Sequence, residues 1–280
     1  MMSERRLLGI FAHPDDEDLI AGALLRYHSL GVETGLVCAT RGEVGDIADS
    51  VLATPDNLGQ VREAEMRTAA TTLHVDQLWF LGYRDSGKTG APSNQDSRAL
   101  IRARAAKVIG ELVAIIRQFR PQVIVTFDET GGYGHPDHLA IYKYTTGAFH
   151  SAADGVQYPE FGPPHTTAKL YYASFARHQV MMMTEWLQDQ AYEGFVRDLD
   201  VERMSVAEDR INVMLDVEKW QELKAEASGK HRTQMHSNTP FSLLPHDLQK
   251  RWRSTEYFRL ATSRVGPDNV GDNDLFAHIP

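Results

Sequence analysis

Cysteine is almost missing from this chain. Cys38 is the only one in 280 residues, which excludes an intrachain disulfide framework and suits a reducing compartment. No apolar stretch approaches the roughly 18 residues of a membrane span. The opening MMSERRLLGIFAHP holds only a short apolar run before His13, too short for a secretory signal. Positive charge is also scarce: 29 Lys and Arg stand against 38 Asp and Glu, a formal charge of −9. Such a chain has no global attraction for nucleic acid or an anionic membrane. These shortages predict a cytoplasmic protein with no nucleic-acid partner and no membrane insertion, and they leave a homo-oligomer open. What is plentiful is apolar residue, at 42%, and histidine, at 12 copies. The apolar content is ample for the core of one α/β domain of this length.

The first half alternates short apolar runs with helix-like segments. Residues 7–12, 35–39, 77–82 and 123–127 read as strands buried on both faces, because they lack polar alternation. Residues 16–30, 57–73, 99–119 and 137–149 read as helices, with Gly31 as a stop signal for the first. This order predicts a Rossmann-like α/β fold, with a mainly parallel sheet, helices on both faces and a site at the C-terminal strand ends. Residues 84–98 and 155–167 are rich in turn formers and are expected to be long loops that shape a ligand site. From about residue 169 the pattern weakens. Residues 170–175 and 211–217 resemble strands and 220–227 a helix, and the whole of 1–280 is read as a single domain.

The first strand leads into His13-Pro14-Asp15-Asp16-Glu17. A histidine and an aspartate three apart on such a turn can face one metal ion, while Asp15 lies beside it. The plainer alternative is a helix start, where acids favour the positive end of the dipole. The fourth strand leads into Gly131-Gly132-Tyr133-Gly134-His135-Pro136-Asp137-His138. His135 and His138 lie on one face at a helix start, and Pro136 suits its first turn. Two such clusters at two strand ends make one metal site far more credible than either would alone. Imidazole and carboxylate without thiolate suit zinc or another divalent first-row metal. A catalytic zinc keeps three protein ligands and an open position for water, whose lowered pKa supplies a nucleophile at neutral pH.

AHPDDE at 12–17 together with GYGHPDH at 132–138 resembles the LmbE/PIG-L family of zinc-dependent N-deacetylases. The likeness extends through Arg62-x-x-Glu65 and YRDSG at 83–87 and covers roughly the first 150 residues. The wording GGYGHPDH and RDSG is nearest the mycothiol-pathway branch, which deacetylates N-acetylglucosaminyl inositol. The resemblance implies His13, Asp16 and His138 as metal ligands for Zn2+, with Fe2+ as the other candidate. It implies Asp15 as general base, His135 as the residue that protonates or stabilises the tetrahedral intermediate, and Tyr133 as an aid to the oxyanion. The implied partner is a small-molecule N-acetylated sugar conjugate, and the implied reaction removes its acetyl group through a zinc-activated water.

Substrate contacts are sought on the same rim. On an ideal helix at about 100° per residue, Arg62 and Glu65 fall inside the apolar arc of Leu58, Val61 and Ala69. They either pair with each other at i, i+3 or, as the resemblance implies for Arg62, serve the sugar. Asp85, Arg41 and Glu43 follow strand ends and complete the set. Histidines 28 and 74 are expected at the surface, Met181, Met182 and Met183 in packing, Cys38 in the core, and the polar run 230–236 in a solvated loop. Other readings stay open: hydrolysis of another amide or ester, or metal binding without catalysis. Simple binding needs neither Asp15 nor His135. A nucleotide-binding Rossmann protein is disfavoured by HPDD where G-x-G-x-x-G belongs.

Overall fold

The computed structural model describes residues 5–190, 192, 200–266 and 268–280. Its elements run β1 (Arg6–Phe11), α1 (Ala21–Ser29), β2 (Glu33–Thr40), α2 (Leu58–Thr72), β3 (Gln77–Tyr83), α3 (Ala105–Phe119) and β4 (Val123–Thr126). There follow the single turn α4 (Gly131–Gly134), α5 (Pro136–Ala152), β5 (Lys169–Ser174), α6 (Arg177–Asp189), the turn α7 (Val201–Met204) and β6 (Val213–Asp216). The chain closes with α8 (Gln221–Ser228), the turn α9 (Pro240–Leu243), α10 (His246–Arg253) and β7 (Thr255–Ser263).

One seven-stranded sheet runs in the order β3-β2-β1-β4-β5-β7-β6. The strands β1 to β5 are parallel, as the apolar runs predict. The last strand in sequence, β7, is antiparallel to both β5 and β6. After β1 the chain moves to β2 on one side, and β4 returns to the other side of β1. The crevice between β1 and β4 is therefore the topological switch point, where ligands bind in open α/β sheets. Both histidine-bearing turns leave the C-terminal ends of these two adjacent strands.

The boundaries differ from expectation at two places. Residues 16–30 are not one helix: a 3-10 turn, Asp16–Ile20, precedes α1. The expected helix 99–119 starts only at Ala105. Residues Leu100–Arg102 form a 3-10 turn, because the Leu100 amide donates to the Arg84 carbonyl at 2.9 Å and the Ile101 amide to Ser86 Oγ at 3.2 Å. These bonds pull the segment onto the loop after β3.

The loop 155–167 does not shape the ligand cavity, contrary to expectation. It joins the end of α5 to the start of β5, and so lies at the opposite rim of the sheet. There the buried Arg117 guanidinium donates to six carbonyls, those of Ser151, Ala152, Asp154, Gln157, Tyr158 and Gly162, at 2.6–3.2 Å. A planar five-donor fork organises such a loop in a way that an ammonium does not. Replacing Arg117 by Ala is expected to cost about 3 kcal/mol, read by urea unfolding, since hydrogen bonds to charged groups are among the stronger ones. Turnover of the protein that remains folded should be unchanged. A loss below 1 kcal/mol would contradict this account (about the value of one ordinary hydrogen bond).

Candidate active site

Three groups converge between β1 and β4. His13 Nδ1 stands 3.1 Å from His138 Nε2. Asp16 approaches His13 Nδ1 at 3.5 Å through Oδ2 and His138 Nε2 at 3.4 Å through Oδ1. The turn fixes Asp16, whose Oδ2 accepts the backbone N–H groups of Ala12 at 3.2 Å and His13 at 2.6 Å. Phe127 fixes His138 by stacking on its ring at 4.0 Å.

Hydrogen-bond partners assign the ring protons. His138 Nδ1 lies 3.0 Å from the Gly131 carbonyl, which can only accept. Its proton is therefore on Nδ1, and Nε2 presents a lone pair. His13 Nε2 lies 3.2 Å from Asp137 Oδ2, so a neutral ring carries its proton there and offers Nδ1 as a lone pair. The two facing nitrogens, buried at 3.1 Å, need a positive charge between them. Burial disfavours charge on His13, but Asp137, Asp16 and Asp85 outweigh it and hold the ring well above the ordinary histidine value. Asp16 is held well below the usual carboxylate range: burial opposes this, and His138 and His13 prevail.

The donor set fits a divalent metal. Bonds of about 2.0–2.1 Å in a tetrahedron set donor atoms about 3.3–3.4 Å apart. The distances of 3.1, 3.4 and 3.5 Å bracket that spacing. The ring nitrogens of His13, His135 and His138 also lie within 4.8 Å of one another, but His135 differs in its protonation. His135 Nδ1 accepts the Asp137 backbone N–H at 3.2 Å, so its proton is on Nε2. Burial, with His13 and His138 nearby, lowers His135 to about 4, and the ring is neutral at pH 7. It is a hydrogen-bond donor beside the cluster.

Asp15 occupies the other side. Its backbone is left-handed, with φ 102°, and its carboxylate meets Arg62 Nη2 at 3.1 Å. Burial raises this carboxyl above the ordinary aspartate value; Arg62 opposes the rise, and Asp16 and Glu17 add to it. Tyr133 is half exposed, with its ring 5.2 Å from that of His138. A cavity of about 550 Å³ opens over these groups, lined by His13, Asp15, Asp16, Arg62, Asp85, Tyr133 and His135. Its far wall includes Asp46, Lys88, Ser93, Gln234 and His236, so the expected loop 84–98 does contribute.

The substrate candidates divide. Arg62 does not pair with Glu65. The guanidinium donates to the carbonyls of Pro14 at 2.6 Å and Gly42 at 3.1 Å, as well as to Asp15. Gly42, at φ 65°, is packed so closely that a Cβ there would meet Arg62 at 2.1 Å. Glu65 instead accepts the Thr233 amide at 2.9 Å and hydroxyl at 2.6 Å. Asp85 lines the cavity with its oxygens turned toward the backbone amides of Gly87 at 2.8 Å and Val44 at 3.4 Å. Arg41 reaches out to Glu63 at 2.5 Å, and Glu43 accepts the Asp85 amide at 3.0 Å. Neither Arg41 nor Glu43 is among the residues lining the cavity.

Three contributors escaped the sequence reading. Asp137, fully buried, orients His13 and accepts the Ser86 amide at 2.8 Å and, through Oδ1, the Ser86 hydroxyl. Its place between two candidate histidines was the available signal. Glu17 and His231 form a buried ion pair at 2.5 Å. The run 230–236 is thus only partly a solvated loop: His231 and Thr233 are buried, and Gln234 and His236 reach the cavity. Burial disfavours the charged His231 ring, but Glu17 raises it to about 9. Cys38 is buried and His28 and His74 stack at the surface, as read; of the three methionines expected in packing, Met183 lies in a small apolar cluster, but Met181 is exposed because it falls on the outer face of α6.

The profile of the PIG-L family, described as GlcNAc-PI de-N-acetylase, matches residues 8–149. A Geodermatophilus obscurus protein named 1D-myo-inositol 2-acetamido-2-deoxy-alpha-D-glucopyranoside deacetylase is 34% identical over 293 residues, covering 100% of both chains. A Thermobifida fusca protein of the same name is 37% identical over 294 residues, covering 99% of this chain and 100% of its own. Among solved structures, N,N'-diacetylchitobiose deacetylase from Pyrococcus horikoshii matches with a TM-score of 0.61 at 20% identity, covering 91% of this chain and 83% of that one. A 4-carboxy-2-hydroxymuconate hydratase from Pseudomonas putida matches with a TM-score of 0.62 at 14% identity, covering 94% and 99%. The fold therefore carries more than one chemistry, and these distant structures speak for architecture alone. With the profile spanning both ligand-bearing turns and full-length relatives at this identity, the chain belongs to the PIG-L family of de-N-acetylases.

Proposed function

We propose that this protein is a metal-dependent N-deacetylase acting on an N-acetylglucosaminyl inositol, releasing acetate and the free amine. The observation that carries the reading is the pair of facing, lone-pair imidazole nitrogens with the Asp16 carboxylate beside them, flanked by an acid and a neutral histidine that they do not use. The substrate assignment rests on the names of the two full-length relatives.

His13, Asp16 and His138 would hold the ion, zinc or ferrous iron. Bound there, it would polarise the amide carbonyl and ease deprotonation of water. Asp15, with its raised carboxyl at the cavity wall, accepts the proton of the attacking water and passes it to the leaving nitrogen. His135 donates its Nε2 proton as a hydrogen bond to the developing oxyanion, and Tyr133 stands by as a second donor. Arg62 aims the Asp15 carboxylate. Asp85 and the residues of the far wall meet the hydroxyls of the sugar conjugate, and Glu43 supports Asp85 from behind through its backbone amide. Among the described residues, no helix is long and apolar enough to cross a membrane.

Amine release from N-acetylglucosaminyl inositol tests the reading directly. Chelation should abolish it and added zinc should restore it. Asp15→Asn is expected to lower kcat by about a hundred-fold to ten-thousand-fold, the usual worth of a general base. His135→Ala should lower kcat by about a hundred-fold to a thousand-fold while metal content stays at the wild-type level. Absence of amine release from any N-acetylglucosaminide by the metal-loaded protein would overturn the proposal, and full turnover in the His135 variant would remove that residue from its role.

A further inference from the structure

The four consecutive acids after Pro14 are sorted by the fold. Asp16 faces the histidines, Asp15 faces the cavity, Asp18 is exposed, and Glu17 turns into the interior. A carboxylate so deeply buried is costly unless every oxygen is used. Glu17 uses both. Oε1 accepts from His231 Nε2 at 2.5 Å, and Oε2 accepts the backbone N–H of Asp15 at 2.9 Å. His231 in turn has no other side-chain partner, since its Nδ1 is buried without one.

We propose that His231, acting through Glu17, is a positioning residue for Asp15. The Asp15 amide belongs to the peptide that sets the direction of its carboxylate. That residue has the left-handed φ of 102°, a conformation that costs an L-residue energy and persists only where its surroundings enforce it. Arg62 grips the carboxylate end, and Glu17 grips the amide end. His231 holds Glu17 stationary from a segment far along the chain. Structural stapling alone gives a weak reason for such a pair, because a buried ion pair is often no better than apolar residues of the same volume. The segment is also held without the imidazole: Thr233 binds Glu65, and the Ala48 amide donates to the Thr233 carbonyl at 2.8 Å. Removing the ring therefore leaves the strap in place and loosens Asp15.

The test uses His231→Leu, which removes the donor, and His231→Gln, which retains a neutral one. Amide hydrogen exchange of the full chain should show about ten-fold less protection at Asp15 in the Leu variant, with β1 unchanged and Gln restoring most of it. This reading is independent of activity. The kinetic arm rests on the deacetylase proposal. There His231→Leu should lower kcat about ten-fold or more with KM and metal content unchanged, and should add less than about two-fold to the defect of Asp15→Asn. If the Leu variant does not fold, Glu17→Met, which removes both acceptors, carries the same expectations. Unchanged protection at Asp15, loss of bound metal, or a full additional loss in the Asp15→Asn background would each overturn the positioning role. A wild-type chain without amine release would instead overturn the deacetylase reading, and the exchange measurement would still decide this one.

Discussion

Two imidazole nitrogens buried 3.1 Å apart satisfy one another only with a positive charge between them, a proton or a metal ion. They call for a cation, and the surrounding architecture can be understood as meeting that demand. Adjacent strands β1 and β4 bring the two rings to the switch point of the sheet. Asp16 supplies the third donor, Asp137 and the Gly131 carbonyl fix the tautomers, and Phe127 fixes one ring plane. Partners that orient metal ligands in this way matter nearly as much as the ligands themselves. The same assignment separates His135 from its neighbours: its lone pair is committed to a backbone amide, which makes the ring a donor toward the cavity.

Around this centre the carboxylates hold different states at close range. Asp16 is held ionised by two histidines, while burial and neighbouring acids raise Asp15. Pushing like groups apart in this manner is how a site obtains a base and a ligand from identical side chains. Arg62, read from sequence as a partner of Glu65 or of sugar, is drawn instead to the turn it stabilises, because Gly42 opens a space that only its guanidinium fills.

The parallel strands β1 to β4 and the two polar turns that meet between β1 and β4 were readable from the sequence. Buried parallel strands are uninterrupted apolar runs, and a metal site concentrates rare residue types at short spacing. The later elements were less legible. The edge strand β6 alternates buried and exposed residues over only four positions, and β7 is antiparallel and partly open, so neither stands out. Partners that act across the fold were invisible for a different reason. Nothing near Glu17 in sequence announces His231, and nothing near Glu65 announces Thr233; such pairs exist only once the chain has closed.

Glu256 on β7 shows how far that closure reaches. Its two oxygens accept the amides of Gly22 and Ala23 at the start of α1 at 2.7 and 2.8 Å, and Lys224 joins at 2.6 Å. The helix that follows the His13 turn is thus capped by the last strand of the sequence. His13, Asp16 and His138 all lie in the first half of the sequence, yet the groups that anchor Glu17 and α1, His231 and Glu256, lie near its end. The setting of Asp15 and of α1 is therefore a property of the closed chain: it draws on residues more than 200 positions away in sequence and cannot be held by the first half of the sheet alone.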